Sequence, residues 1–157
     1  MNSSTRLRVA VDAMSGDNGV DVVVAAVALC LQRHDDVALL LVGDEAALRK
    51  ALQTAGLQQE PRLTLVHASE VVGMDELPSR ALRAKKDSSM RVAVNLVHRD
   101  EADAAVSAGN TGALMAIARF VLKTLPGIDR PAIISALPAR QGPVSYTHLT
   151  LPTIYSV

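Results

Sequence analysis

Aromatic side chains are almost absent from this sequence, which has one Phe, two Tyr and no Trp in 157 residues. Ala and Val are abundant instead, and hydrophobic residues make up 49% of the chain. Small aliphatic side chains suit the tightly packed layers of a parallel α/β fold. The length suits one domain with a core of its own.

Cysteine is scarce, and an excess of charge and a long hydrophobic run are lacking. The single cysteine, Cys30, cannot form an intramolecular disulfide, which favours a reducing compartment and predicts a cytoplasmic protein. Lys+Arg and Asp+Glu balance at 16 each, so the overall charge does not predict a nucleic-acid partner. The longest uncharged apolar run, residues 22–31, is too short to span a membrane, and the N-terminal apolar run is too short for a signal peptide.

Several catalytic motifs are missing as well. The sequence has no H-E-x-x-H, C-x-x-C, G-x-S-x-G or G-x-x-x-x-G-K-[ST] pattern, which argues against zincins, α/β-hydrolases and P-loop NTPases. No constellation of metal ligands is recognisable, so neither a metal nor another cofactor is predicted. Gly16 and Gly19 lack the G-x-G-x-x-G spacing of a dinucleotide-binding turn, which argues against a nicotinamide dehydrogenase.

What the sequence contains is an alternation of apolar runs and helical patterns. These predict strands at 7–13, 37–44, 62–68, 103–109 and 130–138, and helices at 20–32, 44–56, 78–86, 88–100 and 110–124. Their order predicts an α/β fold with an open, doubly wound, mainly parallel sheet and right-handed crossovers. In such sheets ligands bind beyond the carboxyl ends of the strands.

One such strand end carries the segment SAGNTG, residues 107–112. Asn110 is a good helix N-cap, and Thr111 and Gly112 place backbone N–H groups at a helix start, where anions bind. Ser107 and Thr111 add hydroxyl donors. The spacing supports two interpretations equally: a phosphate site, which would include Gly109, or an ordinary capped turn that needs glycine for its geometry.

The turn after the first strand, DAMSGDNG (12–19), has two interpretations too. It is a tight turn with Asp17 or Asn18 capping the next helix, or a second backbone cradle around Gly16. In the second case Asp12 holds the loop or a polar ligand group. Asp44, after the second strand, is predicted to be a helix N-cap rather than a ribose ligand.

A third strand end leads into a connection rich in basic residues, which are Arg80, Arg83, Lys85, Lys86 and Arg91. It is either a solvated helix face or a positive patch for a phosphate or an acidic partner. Lys85 and Lys86 are adjacent and point about 100° apart on a helix, so one of them is expected to face the cleft. His67 precedes this connection and is either a general base or a hydrogen-bonded structural histidine.

Together the segments VAVDAMSGDNG, HASEVVGMDELPSRALRAKKDSSM and SAGNTGALMA resemble the bacterial phosphate acyltransferase family of fatty acid and phospholipid synthesis. The resemblance runs in order over about residues 6–143. It implies a three-layer α/β/α fold related to isocitrate dehydrogenases and phosphotransacetylases, a homodimer, and peripheral membrane association. The family usually has glycine where this chain has Ser15, and proline where it has Val20.

The resemblance also implies an activity, namely transfer of a fatty acyl group from acyl carrier protein to inorganic phosphate. The acyl phosphate product would then serve a glycerol-3-phosphate acyltransferase at the membrane. On this hypothesis Ser107, Asn110, Thr111 and Gly112 hold phosphate, Lys85 or Lys86 balances charge, and residues 80–91 face the acidic carrier protein. The alternatives are a phosphotransacetylase-like enzyme that uses coenzyme A, and a non-catalytic domain that binds phospholigands.

The last 14 residues break the pattern, since they hold two of the three aromatic residues, Tyr146 and Tyr155. The stretch VSYTHLTLPT fits neither the family continuation nor a helix or strand partner. It can be encoded by codons that match a transposase end and adapter used in preparing sequencing libraries. We therefore expect residues 1–143 to be the N-terminal part of a longer subunit, truncated there, and residues 144–157 to be a non-native tail.

Overall fold

The computed structural model describes residues 6–129, 131–137 and 144–146. They belong to two compact units, one that ends at Lys123 and one that begins at Thr124. The first unit consists of β1 (Leu7–Asp12), α1 (Gly19–Arg33), β2 (Val37–Gly43), α2 (Glu45–Thr54), β3 (Leu63–His67), α3 (Pro78–Ala84), α4 (Ser89–His98), β4 (Ala104–Ser107) and α5 (Thr111–Leu122).

The four strands of this unit form one parallel sheet in the order β3-β2-β1-β4. This order brings the carboxyl ends of β1 and β4 side by side, with Asp12 opposite Ser107 in the register. On the other side of β1, the end of β2 lies opposite the end of β3, since Gly43 pairs with His67. The α/β fold with a parallel sheet is confirmed.

Alternate residues of the strands enter two different cores, as the two-residue period of a strand requires. On one face of the sheet, Val9, Val11, Leu39, Leu41, Leu63 and Leu65 pack with apolar residues of α1 and α2. On the other face, Ala10, Leu40, Val42, Val66 and Ala105 pack with apolar residues of α4. A third cluster joins α4 to α3 and α5. The predicted three-layer arrangement is therefore confirmed.

Helix starts follow the predicted capping residues in two of three cases. The Asp44 side chain accepts a hydrogen bond from the Ala47 N–H, and the Asn110 side chain accepts one from the Ala113 N–H. The start of α1 differs: Asn18 is the N-cap residue but its side chain makes no capping bond. Gly19, with a φ of +71°, follows directly, so the turn relies on glycine geometry.

The prediction that a fifth strand joins the parallel sheet is wrong. In the second unit, β5 (Ser135–Leu137) pairs antiparallel with β6 (Val144–Tyr146). β5 contains only three residues of the strand predicted at 130–138. Residues 130 and 138, the ends of that predicted strand, lie outside the described residues. Val144–Tyr146 was expected to have no strand partner, and β5 is that partner. Residues 147–157 of the predicted tail also lie outside the description.

None of the helices in the described part of the chain is both long and apolar enough to cross a membrane. The longest of them, α1, has 15 residues, whereas a membrane-spanning helix needs about 20.

Candidate functional site

The carboxyl ends of β1 and β4 are joined by a buried carboxylate. Asp12 is only 1% exposed, and its Oδ2 accepts a hydrogen bond of 2.6 Å from the Ser107 hydroxyl. Its Oδ1 accepts bonds from the backbone N–H groups of Met14 at 3.3 Å and Ser15 at 3.2 Å. One carboxylate thus fixes both the turn after β1 and the last residue of β4, as the interpretation of Asp12 as a loop-holding residue predicts.

The loop between β4 and α5 continues this network. The Ser107 oxygen, which donates to Asp12, accepts a bond of 3.1 Å from the Gly109 N–H. A Cβ on Gly109 would lie 2.5 Å from the Cβ of Ser15, so the two loops touch at a distance that only glycine permits. Gly16 has a φ of +103°, and a Cβ there would lie 3.2 Å from the Ala108 carbonyl oxygen.

Both polar atoms of the Asn110 side chain form hydrogen bonds within the protein. Its Oδ1 accepts the Ala113 N–H at 3.0 Å and so caps α5. Its Nδ2 donates to the carbonyl oxygens of Met74 at 2.8 Å and Glu76 at 2.9 Å. A direct bond from this amide to phosphate would require one of these contacts to break, and the same holds for the Ser107 hydroxyl.

The start of α5 therefore offers backbone rather than side-chain donors. The first N–H groups of a helix have no intrahelical acceptor, and in α5 those of Thr111 and Gly112 are the first two. Thr111 is exposed and carries a hydroxyl, and Gly112 has Pro78 as its neighbour, 3.1 Å from where a Cβ would lie. Two N–H groups, one hydroxyl and the positive end of the helix dipole can bind a small anion.

Lys85 is engaged in an ion pair that the sequence did not reveal. Its ammonium group lies 3.1 Å from Glu76 Oε2 and also donates to the Val71 carbonyl. This hydrogen bond from Lys85 holds the pKa of the Glu76 carboxyl below its ordinary value. Glu76 and Lys85 are nine positions apart, one before the start of α3 and the other directly after its end, and no periodicity links such a pair.

Lys86 is placed differently from its neighbour. It is exposed, and among the described residues it has no hydrogen-bond or ion-pair partner. Asp87 and Ser88, which follow it in the KKDSSM segment, have structural contacts: Asp87 accepts bonds from the Ser69 N–H and hydroxyl, and Ser88 is the buried N-cap of α4. Ser89 is fully buried as well, so of the five polar residues in this segment Lys86 is the one left to meet a ligand.

His67 lies at the end of β3, away from the start of α5. Two strands separate β3 from β4, and at about 4.8 Å per spacing their ends are roughly 14 Å apart. His67 is exposed, and its charge contributes slightly to lowering the pKa of Asp87, after the larger effect of the Ser69 hydroxyl. The structure therefore does not bring His67 together with Asp12 and Ser107.

Three curated proteins similar to this chain are named phosphate acyltransferase. The phosphate acyltransferase of Alkalilimnicola ehrlichii is 57% identical over 141 residues, 90% of this chain and 40% of the relative. That of Legionella pneumophila strain Paris is 57% identical over 136 residues, 87% of this chain and 40% of the relative. That of Nitrosococcus oceani is 60% identical over 134 residues, 85% of this chain and 39% of the relative. The chain thus spans about 40% of the length of these curated relatives.

A family model described as fatty acid synthesis protein matches residues 7–146. The match covers β1 to β6, all the elements described above. It ends three positions after Pro143, where the resemblance read from the motifs stops. The family resemblance is thereby confirmed, and the chain belongs to the fatty acid synthesis protein family.

Proposed function

We propose that this chain carries the phosphate-binding part of an enzyme that transfers a fatty acyl group from acyl carrier protein to inorganic phosphate. The observation that carries the proposal is its identity of 57–60% to proteins named phosphate acyltransferase. The geometry at the start of α5 supports it, because the first backbone N–H groups of a helix can bind a small anion.

In the proposed reaction a phosphate oxygen attacks the thioester carbonyl carbon. A C–O bond forms, the C–S bond breaks, and the thiolate leaves with the electron pair and takes a proton from solution. Phosphate dianion is already a nucleophile, so the protein has to position it rather than deprotonate it. The proposal therefore requires no general base, and His67 is not needed for this step.

The residues of the SAGNTG segment divide into two groups by their contacts. Ser107, Gly109 and Asn110, with Asp12 and Gly16 from the first loop, set the shape of the site through bonds and close packing inside the protein. Thr111 and Gly112 are proposed to hold phosphate directly. Lys86 is proposed to balance its charge, since the ammonium group of Lys85 is already paired with Glu76.

The partners follow from the same proposal. The acidic carrier protein would meet the exposed cations of residues 80–91, Arg83 and Lys86 among them. We also propose, from the family resemblance, a homodimer in the cytoplasm that associates peripherally with the membrane. There a glycerol-3-phosphate acyltransferase would consume the acyl phosphate.

A chimera tests the proposal. Residues 7–146 of this chain would replace the matching part of the Alkalilimnicola ehrlichii relative, and acyl transfer to phosphate would be measured with carrier-protein and coenzyme A thioesters. Thr111→Val is expected to raise the KM for phosphate or lower kcat by about tenfold, the value of a hydrogen bond to a charged group. Lys86→Met is expected to act in the same direction.

The matched control for Lys86→Met is Lys50→Met, which removes an exposed lysine from α2. Its kinetics should equal those of the unmodified chimera. Unchanged kinetics in both Thr111→Val and Lys86→Met would remove these roles. Faster transfer from coenzyme A than from carrier protein would favour the phosphotransacetylase-like alternative, and phosphate binding without transfer would favour a non-catalytic domain.

A further inference from the structure

Residues 71–77, which we name the apolar loop, lead from β3 towards α3 and expose three large apolar side chains. Val71 is 37% exposed, Met74 43% and Leu77 69%. Single exposed apolar residues are normal on a protein surface. Three of them within seven residues, beside a candidate anion site, form a surface that can bind an apolar ligand.

The backbone of the apolar loop is held firmly although its side chains are exposed. Val72 is buried in the core that α3, α4 and α5 share. The Asn110 amide donates to the Met74 and Glu76 carbonyls, and Lys85 donates to the Val71 carbonyl. A flexible loop would be free to turn these side chains inward, whereas this one is fixed with them outside.

The same contacts put the apolar loop next to the start of α5. Asn110, which binds its carbonyls, is the N-cap of that helix. Pro78, the residue after the loop, lies 3.1 Å from the position of a Cβ on Gly112. The backbone of the apolar loop therefore runs beside the first residues of α5.

We propose that the apolar loop binds the first methylene groups of the acyl chain, with Met74 and Leu77 as its contact residues. This inference rests on the proposed function. Transfer requires the carbonyl carbon to come within about 3.5 Å of a phosphate oxygen, so the chain attached to that carbon must lie on a surface beside the start of α5. Among the described residues, the apolar loop provides that surface, and the flexible thioether of Met74 suits a chain of changing shape.

Alkylphosphonates test the inference on the 157-residue chain itself, because they join a phosphate-like head to an apolar tail. Binding of methylphosphonate and octylphosphonate would be measured by titration calorimetry. Each methylene removed from water strengthens binding about fourfold, so octylphosphonate should bind at least tenfold more tightly than methylphosphonate. Met74→Ser combined with Leu77→Ser should reduce this ratio to about twofold and leave methylphosphonate binding unchanged.

The double variant is expected to fold, since Leu77 is the N-cap position of α3 and Ser is a preferred N-cap residue. Circular dichroism would check this. The control is Leu29→Ser, which removes an apolar side chain that is 51% exposed on α1 and should leave the ratio as it is. An unchanged ratio in the double variant, or an equal loss of methylphosphonate binding, would overturn the inference alone. No binding of phosphate or methylphosphonate by the unmodified chain would overturn the proposed function and this inference with it.

Discussion

Gly109 offers a direct test of how closely the two loops of the site pack. Its backbone is not in the left-handed region, so alanine would suffer no conformational strain there. The obstacle is space: the new Cβ would lie 2.5 Å from Ser15 Cβ and 3.0 Å from Met90 Cε. The methionine end can move aside, but the Ser15 Cβ is bound to a backbone that donates to buried Asp12.

We expect Gly109→Ala to lower the free energy of unfolding by about 2 kcal/mol, within the range for overpacking a filled interior. Urea unfolding followed by far-UV circular dichroism would measure this, because the five helices of the described residues all lie in the first unit. The destabilisation should come from one pair of atoms, so a double-mutant cycle with position 15 can isolate it.

Ser15→Gly removes the opposing Cβ and should restore most of the stability that Gly109→Ala loses. By itself it should be nearly neutral, because the entropic cost of glycine is offset by removing a buried hydroxyl that has no partner among the described residues. Ser15→Ala keeps the Cβ and is the matched control, which should rescue little. The reasoning fails if Gly109→Ala is as stable as the unmodified chain, or if both changes at position 15 rescue it equally.

Two further predictions concern the contacts around the site. Asn110→Asp keeps the acceptor that caps α5 but points a carboxylate oxygen at the carbonyls of Met74 and Glu76. We therefore expect the free energy of unfolding, measured in urea, to fall by about 2 kcal/mol. A free energy of unfolding equal to that of the unmodified chain would contradict these contacts. The pKa of Asp87 is lowered by the Ser69 hydroxyl, so its contribution to stability is present above the unfolded pKa of about 3.9 and is lost as pH falls through the lower folded pKa. Ser69→Ala should therefore reduce the fall in the urea midpoint between about pH 5 and pH 2, and an unchanged pH profile would refute this.

The parallel sheet could be predicted from the sequence because each of its strands has a recognisable apolar pattern in a short stretch of residues. Residues 39–42 of β2 are apolar at every position, as a strand covered on both faces must be. The second unit could not be predicted in the same way. The apolar run around Ser135–Leu137 indicates a strand, but it does not state which edge the strand will join, and here the partner is Val144–Tyr146.

The candidate site shows the same division between local and distant information. The capping role of Asn110 follows from its position before an apolar helix, and the structure confirms it. The contacts that occupy its amide come from Met74 and Glu76, at least 34 positions away. Likewise the bond from Ser107 to Asp12 spans 95 positions. Sequence spacing does not encode such distances, so it cannot say which donors remain available for a ligand.

The structure shows the capped turn of SAGNTG, and this turn is compatible with the proposed anion site. Ser107 and Asn110 direct their side chains to protein partners, and the backbone N–H groups of Thr111 and Gly112, the first two of α5, have no intrahelical acceptor. The consequence is testable by comparing two quantities in the same variants. Substitutions at Ser107 or Asn110 should lower stability and phosphate affinity together, because they act through the shape of the turn. Thr111→Val should lower phosphate affinity alone, because its hydroxyl supports no other part of the fold.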